Sequence, residues 1–224
     1  KPGDKDALVA AIRPETRLLF TESPTNPHLH VLDLEFLVAF ARERRLKLLI
    51  DSTLATPMNQ RPLDFGVDLV IHSATKYMGG HNDLMAGVVC GSGPLVDAIR
   101  EYQRITGAIV DPNTSYLLIR GLKTLALRVE RQNETALAVA RYLEGHPRIR
   151  RVYYPGLESH VDYEIAREQM RGFGGLISFE IDGDLEKTRD FVNGLALPYI
   201  APSLGGVETL VSHPATISYY DLGE

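Results

Sequence analysis

The sequence predicts an α/β protein with a mostly parallel sheet, joined to a smaller α+β C-terminal unit. Three observations predict it. Residues 46–50 and 69–72 are short apolar runs that stop at turn signals, the pattern of strands buried on both faces. Amphipathic segments separate such runs, and strand, helix, strand in succession implies parallel pairing. Beyond residue 145 the pattern changes to short alternating strands between short capped helices. A long helical stretch bridges the two units.

In order, residues 4–12 read as a short helix with Asp4 as its cap. Residues 17–21 are a strand running into Glu22-Ser23-Pro24-Thr25-Asn26-Pro27. Residues 33–45 form a helix with Leu34, Leu37, Val38 and Ala41 on its buried face and Arg42, Arg44 and Arg45 in solvent. The strand at 46–50 ends on Asp51, and the strand at 69–72 on Ser73-Ala74-Thr75-Lys76. Gly79-Gly80-His81-Asn82-Asp83 lets the backbone bend beside a ligand. A strand at 84–91 and a helix at 94–104 follow. From 113 to about 145 the pattern is helical almost without pause, and Gly121 marks a break or a close approach. Strands at 149–153 and 176–181, helices at 163–171 and 184–193 with Asp184 as cap, and strands at 199–200 and 209–211 complete the chain.

Composition narrows the function. Of 224 residues, 44% are hydrophobic and 24% charged, ordinary for a globular protein. A net charge of −5 argues against nucleic-acid or anionic-membrane partners. No apolar run reaches the ~20 residues of a membrane span. The single cysteine, Cys90, excludes an intrachain disulfide framework and suits a reducing compartment. The expected location is cytoplasmic. The chain begins without methionine, so a plastid-targeting segment upstream stays open. The seven histidines are scattered, which gives little support to a metal-binding module.

The chemistry concentrates at strand ends, where open α/β sheets hold ligands. Asp51, Ser73, Thr75 and Lys76 bring a carboxylate, two hydroxyls and an amine to adjacent ends. Pyridoxal 5′-phosphate uses that set: an amine for its aldehyde, an acid on its ring nitrogen, donors for its phosphate. A lone Lys76 would read as a solvated loop lysine and a lone Asp51 as a turn residue; their pairing with the hydroxyls favours the cofactor.

Glu22-Ser23-Pro24-Thr25-Asn26-Pro27, Asp51-Ser52-Thr53-Leu54-Ala55-Thr56-Pro57 and His72-Ser73-Ala74-Thr75-Lys76-Tyr77 closely resemble the Cys/Met-metabolism family of pyridoxal-phosphate enzymes. The resemblance runs over essentially the whole chain. It implies the aspartate-aminotransferase-like fold (fold type I), with the large domain over 1–134 and the small domain over 135–224, small amino-acid substrates, and a homotetramer built from dimers. It implies Lys76 as the catalytic lysine, Asn26 beside the cofactor's 3-oxygen and the substrate, and Ser203 at the substrate α-carboxylate. Ser203 lies in Ser203-Leu204-Gly205-Gly206-Val207-Glu208-Thr209-Leu210, a second signature, which alone would read as a glycine turn. The family's ring-stacking tyrosine, Gly-Met phosphate loop and Tyr-x-Arg pair would fall upstream of Lys1, and its carboxylate-clamping arginine downstream of Glu224. The chain is therefore expected to be part of a longer polypeptide.

Residues 111–125, Tyr153-Tyr154-Pro155-Gly156-Leu157 and Gly172-Phe173-Gly174-Gly175 look most like the cystathionine γ-synthases of that family. Pro198-Tyr199-Ile200-Ala201-Pro202-Ser203 resembles the plant type. The implied reaction is γ-replacement of an O-activated L-homoserine by L-cysteine, a step of methionine biosynthesis. A γ-lyase or an O-acylhomoserine sulfhydrylase with the same residues is the alternative. Pro202 stands where many relatives carry glutamate, which leaves the activating group open. A non-catalytic subunit that only assembles with others is the reading from another class.

Overall fold

Three strands of this chain run side by side and stop at one edge. The computed structural model describes residues 3–217. Helix α1 (Lys5–Ala11) is capped by Asp4, whose Oδ1 accepts from the Ala7 N–H at 2.9 Å. β1 (Leu18–Glu22), β2 (Lys47–Asp51) and β3 (Leu69–Ser73) pair in parallel, and β4 (Gly87–Gly91) closes the four-stranded sheet antiparallel to β3. The register sets Glu22 opposite Asp51, and Asp51 opposite Ile71. Glu22, Asp51 and Ser73 therefore share the carboxyl edge.

Helix α2 (Leu34–Glu43) crosses from β1 to β2. Asp33 accepts the Phe36 N–H at 2.9 Å and starts it. Leu34, Leu37, Val38 and Ala41 pack on Leu48, Ile50 and Val70, the core of the large unit. Each such side chain contributes roughly 1.5–3 kcal/mol by leaving water. The helix stops two residues before the expected end, because Arg45 adopts a left-handed φ of 56° to turn the chain into β2. Two four-residue helices, α3 (Thr56–Asn59) and α4 (Pro62–Phe65), lead to β3.

β4 begins three residues later than expected. Ala86 is drawn off by Thr75, whose Oγ1 accepts the Ala86 N–H at 3.1 Å. α5 (Gly93–Thr106) follows. The helical stretch beyond it divides into α6 (Pro112–Leu122) and α7 (Leu125–Glu144). The interruption has a packing cause: Gly121 lies against the Met78 and Gly79 carbonyls, and the chain turns at Lys123 and Thr124 to bring α7 alongside.

α7 carries Ala136 and Ala140 into a second core with Val152, Tyr154 and Leu157. There β5 (Ile149–Tyr153) pairs antiparallel with β6 (Ser178–Ile181), and α8 (Tyr163–Gln169) lies between them in sequence. Tyr154, fully buried, donates its hydroxyl to the Gly174 carbonyl at 2.9 Å. α9 (Leu185–Asn193) is capped by Asp184 as expected. β7 (Tyr199–Ile200) and β8 (Leu210–Val211) make a short parallel pair, and a 3₁₀ turn at Pro214–Thr216 follows. The loop between β7 and β8 folds back onto the turn that follows β3.

Candidate functional site

Lys76 sits in a turn that the core holds from below. Its N–H donates to the Ser73 carbonyl at 3.1 Å, and its own carbonyl accepts the Gly80 N–H at 2.8 Å. Ala74, Tyr77 and Met78 are buried with Leu29, Leu54, Leu125 and Val129. Burial pushes the Tyr77 phenol up to about 12, so it stays protonated at neutral pH. The apolar residues flanking Lys76 thus fix the turn, while Lys76 itself is half-buried.

The ammonium of Lys76 donates to Ser203 Oγ at 3.2 Å, across 127 residues of sequence. No carboxylate pairs with it among the described residues. Gly205 brings the loop this close. Its φ is +81°, and a Cβ there would lie 2.6 Å from the Tyr77 nitrogen.

Asp51 and Ser73 are joined through Thr53. The Thr53 N–H donates to Asp51 Oδ1 at 2.9 Å, and Thr53 Oγ1 accepts the Ser73 N–H at 2.7 Å. Sequence reading did not single out Thr53, although a hydroxyl two residues past a strand-end carboxylate is the Asx-turn pattern that could have found it. The other Asp51 oxygen and the Ser73 hydroxyl make no hydrogen bond among the described residues. Thr75 differs from expectation: besides accepting from Ala86, its hydroxyl donates to the Ala86 carbonyl at 3.4 Å. That long bond is one a phosphate oxygen could replace.

Asn26 is exposed on the loop after β1, and its N–H donates to Glu22 Oε2 at 3.3 Å. Burial raises the Glu22 carboxyl above its usual range; the Asn26 N–H opposes that and the nearby Asp51 charge reinforces it. His72, buried between Asp51 and Ser73 in sequence, has its imidazole lowered by burial, against the pull of Asp51. Its Nδ1 has no hydrogen-bond partner among the described residues.

The loop after β1 is braced by Asp162, just before α8. His30 Nδ1 lies 2.8 Å from Asp162 Oδ2, which also accepts the Val31 N–H at 3.1 Å. Asn26 and Ser203 line one cavity of about 190 Å³, with Ser178, Thr188 and Phe191. A second cavity of about 220 Å³, beside β1 among Leu19, Phe20 and Phe36, contains none of the six expected site residues. No cluster of three His, Cys, Asp or Glu side chains suited to a metal ion occurs among the described residues. No helix there is long and apolar enough to cross a membrane.

The structure thus brings Lys76 to Ser203, Ser203 to the cavity of Asn26, and Asp51 to Ser73. Each group has bonding capacity left: a carboxylate oxygen on Asp51, the Ser73 hydroxyl, and an amine without a counter-ion. Such a donor set fits pyridoxal phosphate, which presents a ring nitrogen, a phosphate and an aldehyde.

Comparison with known proteins agrees with this cofactor. The model of one family, described as Cys/Met metabolism PLP-dependent enzyme, matches residues 1–224. Cystathionine gamma-synthase 1, chloroplastic, of Arabidopsis thaliana is 53% identical over 222 residues, 99% of this chain and 39% of that protein. The crystal structure of a cystathionine gamma synthase from Xanthomonas oryzae pv. oryzae with aminoacrylate and cysteine superposes at a TM-score of 0.91, with 38% identity. It is matched over 96% of this chain and 55% of its own. The cystathionine gamma-lyase of Lactobacillus plantarum complexed with L-serine gives 0.93 at 40% identity, over 98% of this chain and 58% of its own. The chain thus spans between two fifths and three fifths of the length of these relatives.

Proposed function

We propose a function from one premise: the chain belongs to the family of Cys/Met metabolism PLP-dependent enzymes. The reading is a cystathionine γ-synthase, which replaces the O-linked group on Cγ of an activated L-homoserine with the sulfur of L-cysteine to give L-cystathionine. The observation that carries it is the 3.2 Å approach of Lys76 Nζ to Ser203 Oγ at the strand ends that hold Asp51 and Ser73. The 53% identity to the plant synthase favours synthase over lyase.

When bound, pyridoxal phosphate supplies an aldehyde for an amine and a ring that accepts the electron pair left by a departing α-proton. Asp51, through its free oxygen, keeps a proton on the ring nitrogen. Ser73, and Thr75 once released from Ala86, donate to the phosphate. Ser203 would donate to the substrate α-carboxylate, and Asn26, which lines the same cavity, would bound the substrate. Lys76, in its neutral form, would take the proton from Cα, hand it on to the bound cofactor, and so regain the neutral amine that takes the proton from Cβ as the group on Cγ leaves with its electron pair. It returns protons after the cysteine sulfur has bonded to Cγ. One flexible amine near all these atoms serves every transfer.

The assay uses the full-length protein with added pyridoxal phosphate. L-Cysteine is offered with O-succinyl-, O-acetyl- or O-phospho-L-homoserine. Cystathionine is the expected product. Production of 2-oxobutanoate and ammonia in its place would assign a γ-lyase. A protein that stays colourless near ~420 nm with cofactor, and from which borohydride fixes nothing on Lys76, would remove the enzyme reading altogether.

We further propose that the protein works as a homotetramer, with the domain division near residue 134 within α7. Helix α5 buries none of its residues, and Tyr102, Ile105, Tyr116 and Ile119 of α5 and α6 are each at least 60% exposed. Apolar surface of that extent marks a face covered by another chain or segment. Light scattering should give four copies; a monomer at micromolar concentration would reject it. The single free Cys90 suits a reducing compartment, cytoplasm or plastid stroma.

A further inference from the structure

We propose that Arg128 and Gln132, one helical turn apart on α7, are positioning residues that set the distance between Lys76 and Ser203. The proposal rests on the reading that these two residues hold cofactor and substrate. Residues four apart on a helix project from the same face. Here each grips the backbone of a different partner. The Arg128 guanidinium donates to the Tyr77 carbonyl at 2.7 Å and the Gly121 carbonyl at 2.9 Å, and its Nε to Thr124 Oγ1 at 3.1 Å. No carboxylate pairs with it among the described residues. Its carbonyl partners take the place of a counter-ion, and the turn after Lys76 is one of them.

Gln132 holds the other partner. Its Nε2 donates to the Gly206 carbonyl at 2.8 Å, three residues past Ser203. Its Oε1 is buried without a hydrogen-bond partner among the described residues. Burying an unpaired acceptor costs stability, so the bond from Nε2 to Gly206 is the one that holds this amide in place.

Glycines let the parts meet. A side chain on Gly80 would overlap the Arg128 guanidinium, and one on Gly205 would overlap the Tyr77 nitrogen. A Cβ on Gly175 would sit 3.0 Å from the Gln132 Cβ. The backbone held by Gln132 therefore lies directly on the backbone held by Arg128. Shifting either side chain moves Ser203 Oγ relative to Lys76 Nζ. A third tie, from Asn82 Nδ2 to Glu208 Oε2 at 2.7 Å, is exposed at the far end of the loop and cannot replace them.

The test is a double-substitution cycle in the full-length, cofactor-loaded protein. Gln132→Glu keeps the shape but turns the donor into an acceptor facing the Gly206 carbonyl. Binding of L-cystathionine is read by titrating the ~420 nm absorbance. Gln132→Glu should weaken binding about tenfold, and hydrogen exchange over residues 201–209 should speed up, with borohydride still fixing the cofactor on Lys76. Ser203→Ala should also cost about tenfold, and the double variant no more than Ser203→Ala alone, because Gln132 acts through Ser203. Arg128→Lys keeps the charge but cannot span two carbonyls; cofactor attachment to Lys76 should slow about tenfold. Wild-type cystathionine binding in Gln132→Glu, or losses that simply multiply in the double variant, would overturn the proposal. Absence of cofactor fixation in the unsubstituted protein would instead overturn the functional reading on which it rests.

Discussion

Lys76→Ala should leave a folded protein that stays colourless with pyridoxal phosphate and forms cystathionine about 10⁴-fold more slowly, the upper range of what one positioned general base supplies. The fold should not notice the change. Lys76 makes one side-chain hydrogen bond, to Ser203, and no ion pair among the described residues. Its neighbours Ala74, Tyr77 and Met78 hold the turn without it. Loss of such a half-exposed side chain falls within about 0.5 kcal/mol of wild-type stability. Chemistry depends on it far more, because among the described residues no second lysine lies at the carboxyl ends of β1, β2 and β3. Lys76→Arg separates charge from proton transfer: guanidinium keeps the cation but does not give up its proton at neutral pH. It should be as inactive as Lys76→Ala. The measurement pairs absorbance and borohydride labelling with turnover and a thermal melt. A yellow Lys76→Ala protein turning over within tenfold of wild type would mean that another group is the base.

The strand ends were legible because they obey a short rule. An apolar run of four or five residues followed by Asp51 or by Ser73 reads as a buried strand reaching the ligand edge, and the parallel register sets those ends side by side. Asp4 and Asp184 were legible as caps for a similar reason: the side chain bonds a backbone N–H three residues on, as that of Asp33, read as the first helical residue, also does. What escaped has no local period. The Arg128 bond to Tyr77 spans 51 residues and the Gln132 bond to Gly206 spans 74. On sequence alone both side chains belong to the polar face of an amphipathic helix. Gly121 was legible as a break or a close approach, and the structure has both, but the segment it approaches, at the Met78 and Gly79 carbonyls, was not. Thr75 was read as a phosphate donor from its place beside Lys76. Its present bonds run to Ala86, eleven residues ahead, through a turn whose direction periodicity does not specify.

Gly121→Ala sets two principles against each other, and their magnitudes decide the outcome. In a helix interior alanine is favoured over glycine by about 1 kcal/mol. Propensity alone therefore predicts a stabilised α6. The packing predicts the reverse. A Cβ on Gly121 would land inside the carbonyl oxygen of Gly79 and 2.7 Å from that of Met78. Both obstacles are backbone, and neither can swing aside. Arg128 pins the Tyr77 carbonyl next to them and the Gly121 carbonyl itself. Either α6 withdraws, opening the core around Leu125 and Val129, or the lysine turn shifts. Overpacking of this kind costs typically 1–3 kcal/mol and more where backbone must move, which outweighs the propensity gain. The expected result is a net loss of about 2 kcal/mol in urea unfolding. Cofactor attachment to Lys76 should fall with it, since the displaced residues are Met78 and Gly79, two and three positions beyond the amine. A variant as stable as wild type that takes up cofactor normally would mean that α6 slides freely over the turn, and that the contact at Gly121 does not restrain Lys76.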